Sequence, residues 1–427
     1  MIALPTLSEA DPEIAGEGSL DPLGLAPTAD RLAELLVPDV RARMQRIRFV
    51  TAIAVGAVVS EGLWEEPPGD GVSTPAICFE WIVLESFVRK AKETGALDAT
   101  GVPGSAKAHA VIAQGKRLTA ANYLKTPSVF GFNGVYQPLA RGLRVVDEDR
   151  MAAERTTTLV ATWESEQGLA GFVDRRPGSE GAGLRQRLRD AVREAFRSGR
   201  CSVPPSAHLW GDIARSLPPL KAGPRERALL RSWLLDASQP TRTELARSIG
   251  GRPLTNEASL LEQAAPHASD PLRFRIEAVS AYEQFCGRLD AVLATLRHIS
   301  TLQGTQPVTP EAAAKNPVIK QAARELPGAY RRVLDAMEPL DLVVPVEASV
   351  GAFGDRFGPA ELAERVLDHH SQVQRAKDKR DWFEPYGHGV VVRPQYRQGD
   401  PALIDDSKFL HPFRVASLWQ FMEDTRP

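Results

Sequence analysis

Along most of the chain apolar residues recur every three or four positions, the spacing that predicts amphipathic helices. In "TADRLAELLV" Leu32, Leu35 and Leu36 share one face and Thr28 stands where an N-cap belongs. "RARMQRIRFVTAIAVGAVV" continues the helical pattern, and its stretch from Phe49 to Val59 is apolar on every side, which predicts a buried core helix between Arg48 and Glu61. "AICFEWIVLESFVRKAKETG" follows, with a terminal glycine at Gly95, and "GVPGSAKAHAVIAQG" predicts a short helix between two glycine stops. A second block runs through "GLRQRLRDAVREAFRSG", "PRERALLRSWLLDAS" and "TRTELARSIGG". The longest helix is predicted to start at Asp270, as N-cap with Pro271 behind it. Ile276, Val279, Phe285, Leu289, Val292 and Leu296 recur on its core face. "QGTQPVTPEAAAKNP" reads as a linker-like break. Near the C-terminus "RDWFE" and "GVVVRPQYR" flank a Pro-Tyr-Gly-His-Gly turn signal and predict a hairpin within Trp382–Tyr396.

One stretch breaks this pattern. "YLKTPSVFGFNGVYQPLARGL", Tyr123 to Leu143, crowds glycines, aromatics and prolines together. "LTAANYLKTP" predicts a short helix that stops before Pro127, and "VYQPLARGL" predicts another. A short extended piece then covers Arg144–Asp147, and a helix ends near Gly168. That order is the order of a winged-helix or helix-turn-helix module. Gly131 and Gly134 would allow its tight turn, and Phe130, Phe132 and Tyr136 would fill its core. The competing reading is a corner between packed helices, since this geometry recurs in proteins that never touch DNA. The fold class expected is therefore mainly α, with multi-helix domains, an embedded winged-helix-like module and a small C-terminal β-hairpin. The expected division is a lead-in over 1–26, a helical domain over 27–170, a basic helical domain over 171–305 and a C-terminal domain over 306–427.

Composition narrows the class of protein. With 427 residues the chain is too long for one simple core, and 43% apolar with 25% charged residues is the balance of a folded soluble protein. No apolar run is long enough to span a bilayer, and no basic-then-apolar N-terminal segment predicts secretion. The three cysteines, Cys78, Cys201 and Cys286, stand far apart without a CxxC pair. A reduced cytoplasmic protein without a disulfide frame, a structural zinc or a cofactor is expected. The net charge of −2 conceals an asymmetry: residues 1–40 carry carboxylates and one base, Arg31, whereas Arg and Lys outnumber Asp and Glu between Gly171 and Leu235.

Two basic constellations stand out. Arg185, Arg189, Arg193 and Arg197 recur every fourth residue beside Leu184, Leu188, Val192 and Phe196. A guanidinium grips phosphate through a two-pronged fork, so this stripe is an expected nucleic-acid contact. The alternative is a set of arginine stems covering the edge of a core. "DHHSQVQRAKDKRDW" adds His370, Gln374 and Lys377 on one face, followed by Lys379, Arg380 and Trp382, a combination suited to phosphate contact and base stacking. Its alternative is a solvated face with Trp382 as an anchor. Adjacent His369 and His370 point about 100° apart on a helix, so they are not expected to chelate a metal together. Walker A, GxSxG and HExxH sequences are absent, and "GAFGDRFG" lacks phosphate-loop spacing. Asp341 and Glu347 lie in an apolar run read as strand-forming, without the lysine of a Mg²⁺ nuclease nearby.

"GVPGSAKAHAVIAQGKRLTAANYLKTPSVFGFNGVYQPLA", "TWESEQGL" and "HHSQVQRAKDKRDWFE" resemble an uncharacterised bacterial family associated with gene islands for phage defence and DNA modification. The resemblance spans most of the chain and implies a DNA partner and partner proteins of such a system, but it carries no catalytic residue. The expectation is a DNA-binding recognition or adaptor subunit. A Mg²⁺-dependent nuclease and a helical protein–protein assembly factor are its rivals.

Overall fold

A computed structural model describes residues 21–94, 102–202 and 208–427, so residues 1–20 of the expected lead-in and the helix stop at Gly95 lie outside it, while the lead-in's residues 21–26 bury Leu23 and Leu25 and run into the helix Ala26–Leu36. Helices dominate the described residues, as the periodicity predicts, and the one β-ladder among them is the C-terminal hairpin. Phe383–Tyr386 pairs antiparallel with Gly389–Val392, Phe383 lying opposite Val392 and Tyr386 opposite Gly389. The two-residue connection is Gly387-His388, where Gly387 takes a φ of +57° that side chains resist. "QGTQPVTPEAAAKNP" is not a free linker. Val308 and Val390 exchange backbone hydrogen bonds of 2.9 and 3.0 Å, which ties the segment to the outer strand of the hairpin.

The chain forms two compact units, each discontinuous in sequence. One comprises residues 21–36 with Thr255–Phe413, and the other Val37–Leu254 with Arg414–Pro427. The boundaries expected at 170/171 and 305/306 therefore fall inside units. Across the first, the helix Glu180–Ser198 packs on Pro75–Thr94, and across the second, Asp270–Gln303 packs along Pro317–Met337. Charge reversal and a proline-rich break mark solvent-facing chemistry, whereas a domain boundary follows where apolar faces are buried.

In the first unit the helix Asp270–Gln303 is the scaffold. Its N-cap is Ser269, so Asp270 and Pro271 lie in the first turn, where the Asp270 carboxylate meets Arg273 at 2.6 Å. Ala26–Leu36, Pro317–Met337 and Pro359–Ala376 pack against it.

In the second unit the helix Phe49–Val59 is buried nearly all round, as its composition predicts. It begins only at Phe49, because the preceding "RARMQRIR" turns: the N–H groups of Gln45 and Arg46 donate to the Tyr136 hydroxyl at 2.7 and 2.8 Å. The crowded stretch answers to this helix. "LTAANYLKTP" forms turns and a bridge in place of the expected helix, and Pro127–Phe130 makes a single helical turn. Phe132–Gly142 follows, and the rings of Phe132 and Tyr136 lie 5.2 and 5.1 Å from Phe49. The wing expected at Arg144–Asp147 is one antiparallel bridge, Val146 with Ala152, and no strand. The geometry is that of a corner between packed helices.

At this corner sits the fully buried Glu80. It accepts hydrogen bonds from the Tyr123 hydroxyl at 2.6 Å and the Asn133 N–H at 2.8 Å. Gly131 is extended (φ −74°, ψ 162°), so it is needed for space and not for a turn: a Cβ there would lie 1.9 Å from a Glu80 oxygen. Gly104 is required on both counts: its φ of +84° is left-handed, and a Cβ there would lie 2.0 Å from the Tyr123 hydroxyl.

Removing the Phe132 ring is expected to lower stability by about 3–5 kcal/mol, measured by urea unfolding. A midpoint close to wild type would contradict its place in the core. A second expectation concerns pH. Burial pushes the Glu80 carboxyl from its ordinary 4.5 up to about 7, against the hydrogen bonds that pull it down. The native state therefore holds the proton where the unfolded chain has lost it. Stability should fall as pH rises from about 4.5 to about 7 and be level in this contribution outside that window. Glu80→Gln keeps an acceptor for Asn133 and a partner for Tyr123. The difference in stability between wild type and this variant should grow across that window, and a constant difference would show that Glu80 does not titrate there.

Candidate functional site

Arginine stems on the helix Glu180–Ser198 reach the C-terminal end of Phe49–Val59, where backbone carbonyls lack intrahelical donors. Arg185 is only 7% exposed and donates to the carbonyls of Phe172 (3.0 Å), Val173 (2.9 Å) and Val58 (3.2 Å). Arg189 donates to the carbonyls of Val59 (3.0 Å) and Glu61 (2.5 Å). Their positive charge also lies at the negative end of the helix dipole. Arg193 lies 3.6 Å from Glu66, and Arg197 lies 3.1 Å from the same carboxylate. The stripe expected to face phosphates thus closes an interior helix end and pairs with Glu61 and Glu66.

The histidine cluster belongs to the other unit and faces its interior. His370 is 1% exposed, and its Nδ1 lies 3.0 Å from the Pro22 carbonyl while its Nε2 accepts the Trp382 N–H at 3.0 Å. That pair of contacts requires the neutral tautomer with the proton on Nδ1, and burial accordingly pushes its pKa down. His369 takes a separate carbonyl, Leu23, at 2.9 Å. Gln374 is buried, and Lys377 donates to the Asp21 backbone carbonyl at 2.6 Å and its carboxylate at 3.1 Å. Trp382 is buried with its ring stacked 4.6 Å from Tyr396 and the Arg297 guanidinium 5.0 Å away. His370, Gln374 and Lys377 do share a face, and that face holds residues 21–23 in place. Of the expected contacts in this cluster, Lys379 is half-buried and Arg380 is exposed.

Asp341 and Glu347 do not converge. Asp341 occupies a left-handed turn, and Glu347 is exposed on the helix Val343–Val350, so the run read as strand-forming is helical.

A different basic surface emerges on the helix Pro317–Met337. Lys320, Arg324 and Arg331 are spaced i, i+4, i+11 on its outer face, with Arg332 beside them, and all four are exposed. Among the described residues none of the four has a carboxylate within ion-pair distance. Asp335 lies at the C-terminal end of the same face. Ile319, Ala322, Leu326, Ala329 and Val333 are buried on the opposite face. This amphipathic period was available in "VIKQAARELPGAYRRVLDAM" but is interrupted by Pro327, which the helix accommodates.

The same unit contains a cleft of about 640 Å³ with an acidic lining. Glu262, Glu277, Glu283 and Asp406 border it, together with Lys408 and Phe409. Glu283 is fixed at its wall, accepting from the N–H groups of Leu410 and His411 and lying 2.7 Å from His411 Nδ1. These residues are distant in sequence and none forms a motif.

No family model, curated protein or solved structure matches this chain.

Arg185→Met should test the structural part of the stripe. It keeps an apolar stem but leaves the Phe172, Val173 and Val58 carbonyls without a donor, at a cost of about 1–3 kcal/mol for a buried group left unpaired. A change within about 0.5 kcal/mol in chemical unfolding would mark Arg185 as an ordinary surface arginine.

Proposed function

We propose that the protein binds duplex nucleic acid through its phosphate backbone and serves as a recognition or adaptor subunit of a bacterial phage-defence or DNA-modification system. The observation that carries the binding is the unneutralised basic face of the helix Pro317–Met337, formed by Lys320, Arg324 and Arg331 with Arg332 alongside. Lys320 to Arg331 spans about 17 Å at the rise of an α-helix, about half a turn of B-DNA measured along its axis. Arg331 donates one N–H to the Pro327 carbonyl at 3.3 Å, but clustered cations without carboxylate partners attract a polyanion at long range, and arginine adds a fork that fits a phosphate. Arg185, Arg189, His370, Gln374 and Trp382 are occupied by the fold and are left out of the contact set. The winged-helix element is not carried into the proposal, because Phe132–Gly142 directs its aromatic rings into the core. The place in a defence or modification system rests on the family resemblance of the segments quoted above, and the cytoplasmic setting on the three scattered cysteines.

Binding to a fluorescent duplex over a salt series, with and without Mg²⁺, tests this reading. Each phosphate contact contributes about −0.9 to the slope of log K against log salt. Lys320→Gln/Arg324→Gln/Arg331→Gln should flatten the slope by about 2.7, while Arg193→Gln/Arg197→Gln should leave it near wild type. A folded triple variant with the wild-type slope would remove this helix from the interface. Wild-type protein without salt-sensitive binding would favour the assembly factor, and Mg²⁺-dependent strand scission would favour the nuclease.

A further inference from the structure

Glu283 and Cys286 stand one turn apart on the helix Asp270–Gln303, and the segment that ends this unit brings His411 against them. One donor atom from each of the three lies within 4.8 Å of the others. Glu283 and Cys286 are buried, at 4% and 0% exposure, and His411 is partly exposed. We propose that Glu283, Cys286 and His411 form a binding site for a single transition-metal ion of the zinc class.

The chemistry of the donors selects the ion. A thiolate, an imidazole and a carboxylate together suit zinc or cobalt, while a hard cation such as Mg²⁺ would require oxygen ligands alone. Three protein ligands leave a coordination position for water, and Glu283 lines the cleft, so the site has a solvent-filled approach. Of the other carboxylates around that cleft, Asp406 is paired with Arg288 at 2.8 Å and Glu277 with Arg273 at 3.7 Å. The outer contacts suit the role as well. The Leu410 and His411 N–H groups hold the Glu283 carboxylate in orientation, as hydrogen bonds do around metal ligands. On binding, the ion displaces the proton between His411 Nδ1 and Glu283, which passes to Nε2 or to solvent so that the imidazole enters as a neutral base, and the Cys286 thiol releases its proton to solvent. The competing account is that the Glu283–His411 contact only anchors residues 410–413, with Cys286 as packing.

Cobalt(II) is the probe, because thiolate ligation gives a near-ultraviolet charge-transfer band that imidazole and carboxylate do not. The full chain, stripped with chelator, should develop this band with saturation at one equivalent, and zinc should abolish it. The chain has three cysteines, so Cys78→Ser/Cys201→Ser must retain the band and Cys286→Ser must lose it. His411→Gln should weaken cobalt binding by at least about 10-fold. No band in the folded wild type, a band that survives Cys286→Ser, or a band lost with Cys78 and Cys201 would each overturn the site. If Cys286→Ser does not fold, the His411→Gln variant decides: unchanged affinity and spectrum overturn the proposal.

Discussion

A carboxylate taken out of water must be given donors, and the cost of leaving it without them exceeds that of any single apolar contact. Both units are organised around carboxylates treated in this way. Glu80, Glu85 and Glu226 are fully buried, and Glu283 nearly so. Glu226 holds Arg48 through contacts of 3.0 and 3.1 Å and the Thr51 hydroxyl at 2.7 Å, fastening Pro224–Leu234 to the start of the core helix. Glu85 receives Arg89, Arg117 and the Leu118 N–H, each at 2.9 Å. Glu80 gathers Tyr123 and Asn133, and Glu283 gathers the backbone at Leu410 and His411. Apart from Arg89, one turn from Glu85 on the same helix, these donors are remote in sequence, so the polar network fixes which segments meet while apolar burial supplies the driving force.

The same rule accounts for the four arginines of the stripe on the helix Glu180–Ser198. An arginine next to a helix terminus finds carbonyls that need donors, and satisfying them inside the protein competes with a phosphate outside it. Arg185 and Arg189 are occupied by carbonyls around Val58 and Glu61, and Arg193 and Arg197 by Glu66. Lys320, Arg324 and Arg331 project from the outer side of a helix whose apolar side already meets the scaffold. None of the three has a carboxylate within ion-pair distance among the described residues, although Arg331 donates to the Pro327 carbonyl one turn back.

The histidines show the corresponding effect for neutral bases. A histidine held between a carbonyl and an N–H must keep one defined proton, so His370 links Pro22 to the start of the hairpin as a neutral base. His411 contrasts with it. Its partner is a carboxylate, a thiol lies nearby, and a cleft opens beside them, which is the environment in which an ion can replace a proton.

Much of the architecture was legible from the sequence because its cause is local. Periodic apolar positions fix helices by the geometry of 3.6 residues per turn, and the wholly apolar Phe49–Val59 could only be interior. The Gly387 turn between short β-forming runs likewise fixed the hairpin. Tertiary structure alone decided the rest. Whether an arginine stripe faces phosphate or carbonyl depends on which helix end lies opposite, and sequence spacing is identical in the two cases. Gly131 carries a role in space, not in dihedral angle, that exists only because Glu80 is beside it. The meeting of Glu283 and Cys286 with His411 follows from the path of the chain between them, so no local pattern could announce it. Local sequence sets which face of an element is apolar; the partner of its polar face is chosen only when distant segments are brought together and water is excluded.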